Sequence, residues 1–496
     1  MSDRAGAMPT PPRLGVRAAG GALVTMGGQG VRALVQFGGI ILLARLLTPH
    51  DYGLVAMVTA IIGVAEILRD FGLSSATMQA RTVSREQRDN LFWINAAIGL
   101  ALAVAVFCGA NAVARFYGEP ALVGIAQALA ATFLLNGLAT QHRAQLGREL
   151  QFGRLAAGDV GGQVAGLAAA VAAALAGAGF WALVVQQVVQ AAATLLLALL
   201  CGRWLPRGYR RDAPVGRFIG FGGSLAMTQL LGYASRNTGQ VMIGLRMGAD
   251  ALGPFNRAFQ LLMMPLNQIS APATTVALPV LSRLQDDPAR FGAFLLRGQT
   301  VLVHLVAALL AWACAQALPL IVLLLGDQWL AAVRPFRWLA LGGMFQVAGY
   351  ACYWVFMAKG LAGAQLRCAL VGRSVLVACV VAGAAWGVEG VAAGYALGLL
   401  LLWPLSLFWI SRVSDAPALA MLGNGLRALA AYGACAALST AASTWVAGSL
   451  WTQLLVGTAA MAGGFAVLVL AWPAFRRDVA SIVQIRHLLA ESRRHR

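Results

Sequence analysis

Residues Gly27–Gly53 read GGQGVRALVQFGGIILLARLLTPHDYG. The stretch is long enough to cross a membrane, because a helix spanning the hydrocarbon core needs ~20 mostly apolar residues. It nevertheless carries Arg32 near its middle, with Gln29 and Gln36 on either side, and it ends in the turn Arg45-Leu-Leu-Thr-Pro-His-Asp-Tyr-Gly53. A similar phrase returns at Ala234–Ala258, ASRNTGQVMIGLRMGADALGPFNRA. There Arg236 lies inside an apolar segment beside Asn237 and Gln240. Arg246 follows, then a turn with Asp250 and Gly253. An arginine-bearing membrane helix that occurs twice points to a chain made of two related halves.

Composition agrees with a membrane setting. The 496 residues are 59% hydrophobic and 11% charged, against about 25% charged for a soluble domain. In a soluble protein a net charge of +19 would suggest nucleic acid. In this chain the excess of arginine in cytoplasmic loops explains it. The polar, Pro-rich start to Arg17 is expected to be a cytoplasmic tail with no cleavable leader.

With a ruler of ~20 residues, fourteen apolar spans are expected: 20–46, 51–72, 91–115, 120–140, 155–176, 178–201, 218–245, 252–281, 299–324, 336–357, 364–385, 388–410, 426–447 and 450–472. The eighth contains Pro265, Pro272 and Pro279 and is expected to be kinked. With the N-terminus inside, most of the 37 Lys and Arg fall on the inner side, including those of the loops at Arg81–Arg88, Arg143–Arg154 and Arg203–Arg217 and of the C-terminal tail. Arg45, Arg115, Arg246, Arg334 and Arg337 fall outside. This alternation supports an even number of spans with both ends in the cytoplasm. The expected organisation is a tail at 1–19, a six-helix bundle at 20–201, a linker at 202–217, a second bundle at 218–410, two further helices at 411–472 and a basic amphipathic tail at 473–496. Gly326–Trp338 is read as lying along the outer interface. Gly158, Gly162 and Gly166, like Gly390, Gly394 and Gly398, recur every fourth residue and mark close helix packing.

Ionisable groups at membrane depth are costly and are therefore candidates for function. Arg32, Arg236 and Arg257 form the deep cationic set, with Glu66 as the deep carboxylate. Glu66 is placed to pair with Arg69 or Arg32, or to bind a coupling cation. Asp159, Arg69 and Asp70 lie near span ends and are read as snorkelling. The planar fork of an arginine suits phosphate, and Gln29, Gln36, Asn237 and Gln240 offer amides to sugar hydroxyls. The chain has no phosphate-binding GxxxxGK[ST] loop and no H-E-x-x-H, so ATP hydrolysis and zinc chemistry are not expected.

The motifs Gln36-Phe37-Gly38, Ala44-Arg45-Leu46-Leu47-Thr48-Pro49, Asp51-Tyr52-Gly53 and Arg69-Asp70-Phe71-Gly72-Leu73 resemble the Wzx-type polysaccharide flippases of the multidrug/oligosaccharidyl-lipid/polysaccharide (MOP) exporter superfamily. Gln240–Gly244, Gly253–Ala258, Pro265 and Leu278–Leu284 carry the resemblance into the second half. That family commonly has Tyr after the second turn's Gly, where this chain has Pro254-Phe255.

The resemblance implies an all-α integral membrane fold of about fourteen helices, MATE-like, with two pseudo-symmetric six-helix bundles. It implies a flippase in the bacterial inner membrane that moves undecaprenyl-diphosphate-linked repeat units for lipopolysaccharide or exopolysaccharide synthesis. Expected partners are a polymerase and a chain-length regulator. No cofactor is implied beyond a coupling Na+ or H+. A lipid II flippase and a multidrug/cation antiporter are the alternatives, and a polymerase or ligase is disfavoured by the short outer loops. Green fluorescent protein fused after Arg496 is expected to fluoresce, and alkaline phosphatase fused after Gly118 to be active; the opposite pattern would reverse the orientation.

Overall fold

The computed structural model describes residues 11–70, 77, 83–202, 204–210, 215–446 and 448–482, with all their side chains except those of 11–26, 70 and 217–228. Among these residues there is no strand. The helices are α1 (Pro11–Leu46), α2 (Pro49–Asp70), α3 (Arg85–Tyr117), α4 (Leu122–Arg148), α5 (Phe152–Leu175), α6 (Trp181–Gly202), α7 (Gly216–Met247), α8 (Ala249–Arg283), α9 (Pro288–Ala315), α10 (Ala317–Leu325), α11 (Val333–Ala358), α12 (Ala362–Gly383), α13 (Gly387–Val413), α14 (Ala418–Trp445) and α15 (Leu450–Ala471). Ten described helical stretches are long and apolar enough to cross a membrane, Ala362–Val413 joining two helices in one of them. The chain is a multi-pass membrane protein of all-α class.

Every expected span coincides with a helix over its described residues, with two local corrections. α1 is helical from Pro11, the first described residue and well before the expected 20, and its 36 residues run ~54 Å at 1.5 Å per residue. The ninth span, read as continuous over 299–324, is divided at Gln316. Pro319 explains the break: it has no N–H for the Ala315 carbonyl, and its ring crowds that carbonyl. Gln316 fixes the junction by donating from Nε2 to Ser439 Oγ at 2.8 Å. By contrast α8 stays helical across Pro254, Pro265, Pro272 and Pro279.

The turn that ends the opening stretch is a helix start. Thr48 Oγ1 accepts from Asp51 N at 3.3 Å, and Asp51 Oδ2 accepts from Thr48 N at 2.9 Å. This reciprocal cap, with Pro49 in the first helical position, launches α2. The second copy lacks it: α8 follows Gly248, whose φ is 80°, without a side-chain cap.

The chain forms two compact units, Met1–Ala234 and Ser235–Arg496, dividing within α7. Tyr233 accounts for the N-terminal side of that boundary, donating from its hydroxyl to the Thr59 carbonyl at 2.8 Å. The described part of the linker is held to the same unit. Asn90 exchanges hydrogen bonds with the Arg210 backbone at 2.6 and 2.8 Å, and Trp93 Nε1 donates to the Arg207 carbonyl at 2.6 Å.

In the C-terminal unit, residues 473–482 are helical and dock on the protein. Phe475 is fully buried among His304, Tyr432, Phe465 and Trp472, and Asp478 takes two hydrogen bonds from Arg427 at 2.6 and 3.1 Å. The start of the tail is therefore a protein contact where a lipid-surface helix was expected; 483–496 lie outside the described residues. Gly326–Trp338 is also corrected in part. Trp329 is a core residue with no exposure, whereas Leu330 and Trp338 stay exposed.

Both glycine stripes pack as expected. A Cβ on Gly166 would lie 2.7 Å from the Gln186 carbonyl oxygen, and one on Gly398 would lie 2.5 Å from Leu376 Cδ1. Gly166→Ala should lower the thermal midpoint by the equivalent of about 1–3 kcal/mol of overpacking, measured on purified protein. Gly463→Ala, with nothing within 4 Å of the new methyl, is the control and should leave it unchanged.

Candidate functional site

A cavity of about 330 Å³ lies inside the N-terminal unit. Its walls are polar, although the helices that build it are apolar in bulk. α1 contributes Arg32, α2 Glu66, α5 Asp159, α4 Thr132, Asn136 and Arg143, and α6 Gln187, Gln190, Ala191 and Thr194. The α6 positions fall at i, i+3, i+4 and i+7, a single helical face. The same rule puts Thr132, Asn136 and Arg143 on one face of α4. The glycine stripe of α5 packs against α6 at Gln186, Gln190, Thr194 and Leu197. Backbone proximity at that contact brings Asp159 alongside the α6 amides.

Asp159 is the centre of the charge arrangement. Its Oδ1 accepts from Arg143 Nη2 at 2.6 Å, and its Oδ2 lies 3.8 Å from Arg32 Nη1. The Asp159 side chain is 20% exposed and that of Arg32 52%. Glu66 lies 3.8 Å from Arg69 Nη1, one turn further along α2. The formal charges of the four cavity-lining ionisable groups, Arg32, Arg143, Glu66 and Asp159, cancel.

Arg32 and Glu66 of the expected set therefore share one cavity. Gln29 and Gln36 lie at i−3 and i+4 from Arg32 and are exposed. Asp159, expected to snorkel at a span end, is instead held by two arginines. Arg143 was assigned to a cytoplasmic loop, but α4 extends to Arg148 and carries it into the cavity. The signal that would have found the missed residues is the polar stripe at helical spacing in α4 and α6. Arg69 makes the expected i,i+3 pair, and Asp70 lies outside the described side chains.

The remaining expected residues belong to the C-terminal unit. Arg236 is exposed, makes no ion pair among the described residues, and lies within electrostatic reach of Arg373 and Tyr395. Arg257 is buried. Gln240 is also buried and accepts from Asn256 Nδ2 at 2.9 Å, and Asn256 in turn accepts from Gln260 at 3.0 Å. Gln240 is thus part of a helix-to-helix amide chain, and Asn237 is half-buried beside it. A second cavity, about 700 Å³, has Asp250, Arg334, Arg337, Trp386 and Glu389 in its wall, with Arg334 and Glu389 paired at 3.0 Å.

An all-α, multi-pass chain with a charge-paired cavity inside an apolar helical unit is a membrane protein with a polar interior. The fold is similar to that of a multidrug resistance MATE family transporter of the MOP superfamily in its inward-facing conformation, with a TM-score of 0.63 at 15% identity over 79% of this chain and 95% of that one. The lipid II flippase MurJ superposes with a TM-score of 0.70 at 11% identity, over 90% of this chain and 98% of that one. Residues 42–334 match the family model described as polysaccharide biosynthesis protein, and the chain belongs to that family. The lipopolysaccharide biosynthesis protein WzxC of Escherichia coli (strain K12) is 24% identical over 365 residues, 72% of this chain and 73% of its own. The succinoglycan biosynthesis transport protein ExoT of Rhizobium meliloti (strain 1021) is 25% identical over 299 residues, 60% of each chain.

The two distances at Asp159 make a quantitative expectation. In double-mutant cycles on thermal stability, Arg143 and Asp159 should couple by ~1 kcal/mol, and Arg32 and Asp159 by only a few tenths. Equal coupling would mean that Arg32 is bound as firmly as Arg143.

Proposed function

We propose that this protein is a flippase that carries undecaprenyl-diphosphate-linked oligosaccharide repeat units across the bacterial inner membrane, for lipopolysaccharide or exopolysaccharide synthesis. It is a transporter in this reading and makes or breaks no covalent bond. The observation that carries the reading is Arg32, a half-exposed guanidinium in the wall of a polar cavity inside an apolar helical unit. A guanidinium stays charged and donates two hydrogen bonds in one plane, which matches a phosphate. Asn136, Gln187 and Gln190 supply amides suited to sugar hydroxyls in the same cavity. Arg236 of the C-terminal unit, with Arg373 in reach, is a second cationic group assigned to the anionic part of the substrate, and Arg257 is grouped with it. Gln29, Gln36, Asn237 and Gln240 remain assigned to sugar recognition. Both termini are placed in the cytoplasm by the distribution of arginine.

Moving the substrate needs a driving force, and Glu66 is the carboxylate we assign to a coupling Na+ or H+. It lines the cavity and is only loosely held by Arg69. Downstream, a polymerase and a chain-length regulator would consume the flipped units.

Two carboxylates in the cavity also favour a second reading, antiport of organic cations. Against it, two guanidiniums stand beside the two carboxylates in the same wall, so the cavity offers an organic cation no net negative charge.

The test is complementation of a strain deleted for its own copy of this gene. Wild-type protein should restore the surface polymer. Arg32→Ala and Arg236→Ala, at equal membrane abundance, should lower polymer output at least tenfold, a loss of about 1.4 kcal/mol or more. Full output from both variants would remove the arginines from the mechanism. Restored drug resistance without polymer would favour the cation antiporter.

A further inference from the structure

We infer that Asp159 is a built-in competitor of the substrate: its carboxylate holds the place of a phosphate oxygen on Arg32, and substrate binding displaces it. The inference rests on the reading of Arg32 as the anion-receiving group and adds the reason why the anion can leave again.

The geometry separates the two ends of the carboxylate. Oδ1 is held by Arg143 at hydrogen-bond distance, 2.6 Å, whereas Oδ2 reaches Arg32 only at 3.8 Å. One oxygen is fixed and the other is loosely engaged. Arg143 is 40% exposed and Arg32 52%, while Asp159 is the more enclosed partner. Displacement therefore moves the arginine: Arg32 swings to an incoming diphosphate, while Asp159 stays with Arg143. No charge is left unanswered at either stage. With Arg32 on the diphosphate, the Arg143–Asp159 pair persists. Once the diphosphate has gone, Oδ2 of Asp159 again faces Arg32. A transport site must bind strongly enough to load and weakly enough to unload, and a resident carboxylate lowers the affinity of Arg32 by offering it an alternative.

Glu66 is the internal comparison. It lines the same cavity and carries the same charge, but its partner is Arg69. A general negative field would act through both carboxylates alike, whereas a competitor for Arg32 acts through Asp159.

The experiment measures binding of inorganic pyrophosphate to the purified full-length protein in detergent by titration calorimetry, for wild type, Asp159→Asn, Glu66→Gln and Arg32→Gln. Asparagine keeps the shape and can still accept the Arg143 hydrogen bond. Asp159→Asn should bind pyrophosphate about tenfold more tightly than wild type, the scale expected when one charge a few ångströms away is removed in a medium of intermediate polarity. Glu66→Gln should change affinity less than threefold, and Arg32→Gln should weaken binding at least tenfold. In the complementation strain Asp159→Asn should lower polymer output despite its tighter binding, because release slows. A merely structural Asp159 would not yield a gain in affinity. If Asp159→Asn does not elute as a single species, Asp159→Ser, which removes the same charge, is judged by the same criteria.

The outcomes separate the two readings. If wild type and Arg32→Gln bind pyrophosphate equally, or neither binds it, the assignment of Arg32 falls, and the proposed function with it. If wild type binds through Arg32 but Asp159→Asn is no tighter, or is matched by Glu66→Gln, the competitor role falls and the proposed function stands.

Discussion

An arginine held at membrane depth must be answered by something close by, because an unpaired charge in a medium of low polarity is costly. In the N-terminal unit that constraint is met by one carboxylate, Asp159, set between Arg143 and Arg32. Much of the local architecture serves this bridge. α4 has to extend past the apolar part of its sequence to bring in Arg143, and α5 has to place Asp159 within its first turns. The result is a cavity that is strongly polar and formally neutral. A purely cationic cavity would bind anions more tightly and would also require counter-ions from solvent.

The bridge depends on backbone packing. Helices in lipid gain little from burying apolar side chains against one another, so close approach through small residues does the work. Gly162 and Gly166 let α5 lie against the polar face of α6 at Gln186, Gln190 and Thr194. Larger residues at those two positions would push the helices apart and widen the space between Asp159 and the amides. The small-residue stripe, a packing signal, thus also sets the dimensions of the cavity. Tyr233 uses another glycine of the same unit: its ring and hydroxyl lie against Gly63, and the hydroxyl donates to the Thr59 carbonyl.

Much of this was legible in the sequence, for physical reasons that also mark where legibility stops. Hydropathy over ~20 residues registers helices because a spanning segment must be apolar along its length. The one internal break, at Gln316, lay within an apolar run, and only the missing N–H of Pro319 betrayed it. Arg32 and Glu66 stood out as charges far from a span end. Asp159 and Arg143 did not, because distance from a span end is measured along one helix, whereas their burial comes from neighbouring helices. The polar stripes Thr132–Asn136–Arg143 and Gln187–Gln190–Thr194 were present in the sequence, but single amides and hydroxyls in membrane helices are common interhelical contacts. Their convergence on one cavity needs the tertiary fold. For the tail the balance ran the other way. Its arginines suggested a lipid surface, and Phe475 with Asp478 decided for a protein surface.

The two arginine-bearing phrases read alike in the sequence, yet the two units answer the arginine differently. Arg32 meets a carboxylate, whereas Arg236 makes no ion pair among the described residues and lies within reach of the like charge of Arg373. The amides flanking them diverge as well: Gln29 and Gln36 are exposed, while Gln240 is consumed by Asn256. The launching turn follows the same division, capped by Thr48 and Asp51 in the first copy and uncapped at Gly248 in the second. A repeat that keeps its helix and its arginine while changing the arginine's partner has preserved the scaffold and altered the electrostatics. A neutralised arginine has to be released before it can bind an anion, and an arginine beside a second arginine is already poised to attract one. The asymmetry is one of electrostatics: in the first copy a carboxylate neutralises the arginine, and in the second a further arginine lies within its electrostatic reach.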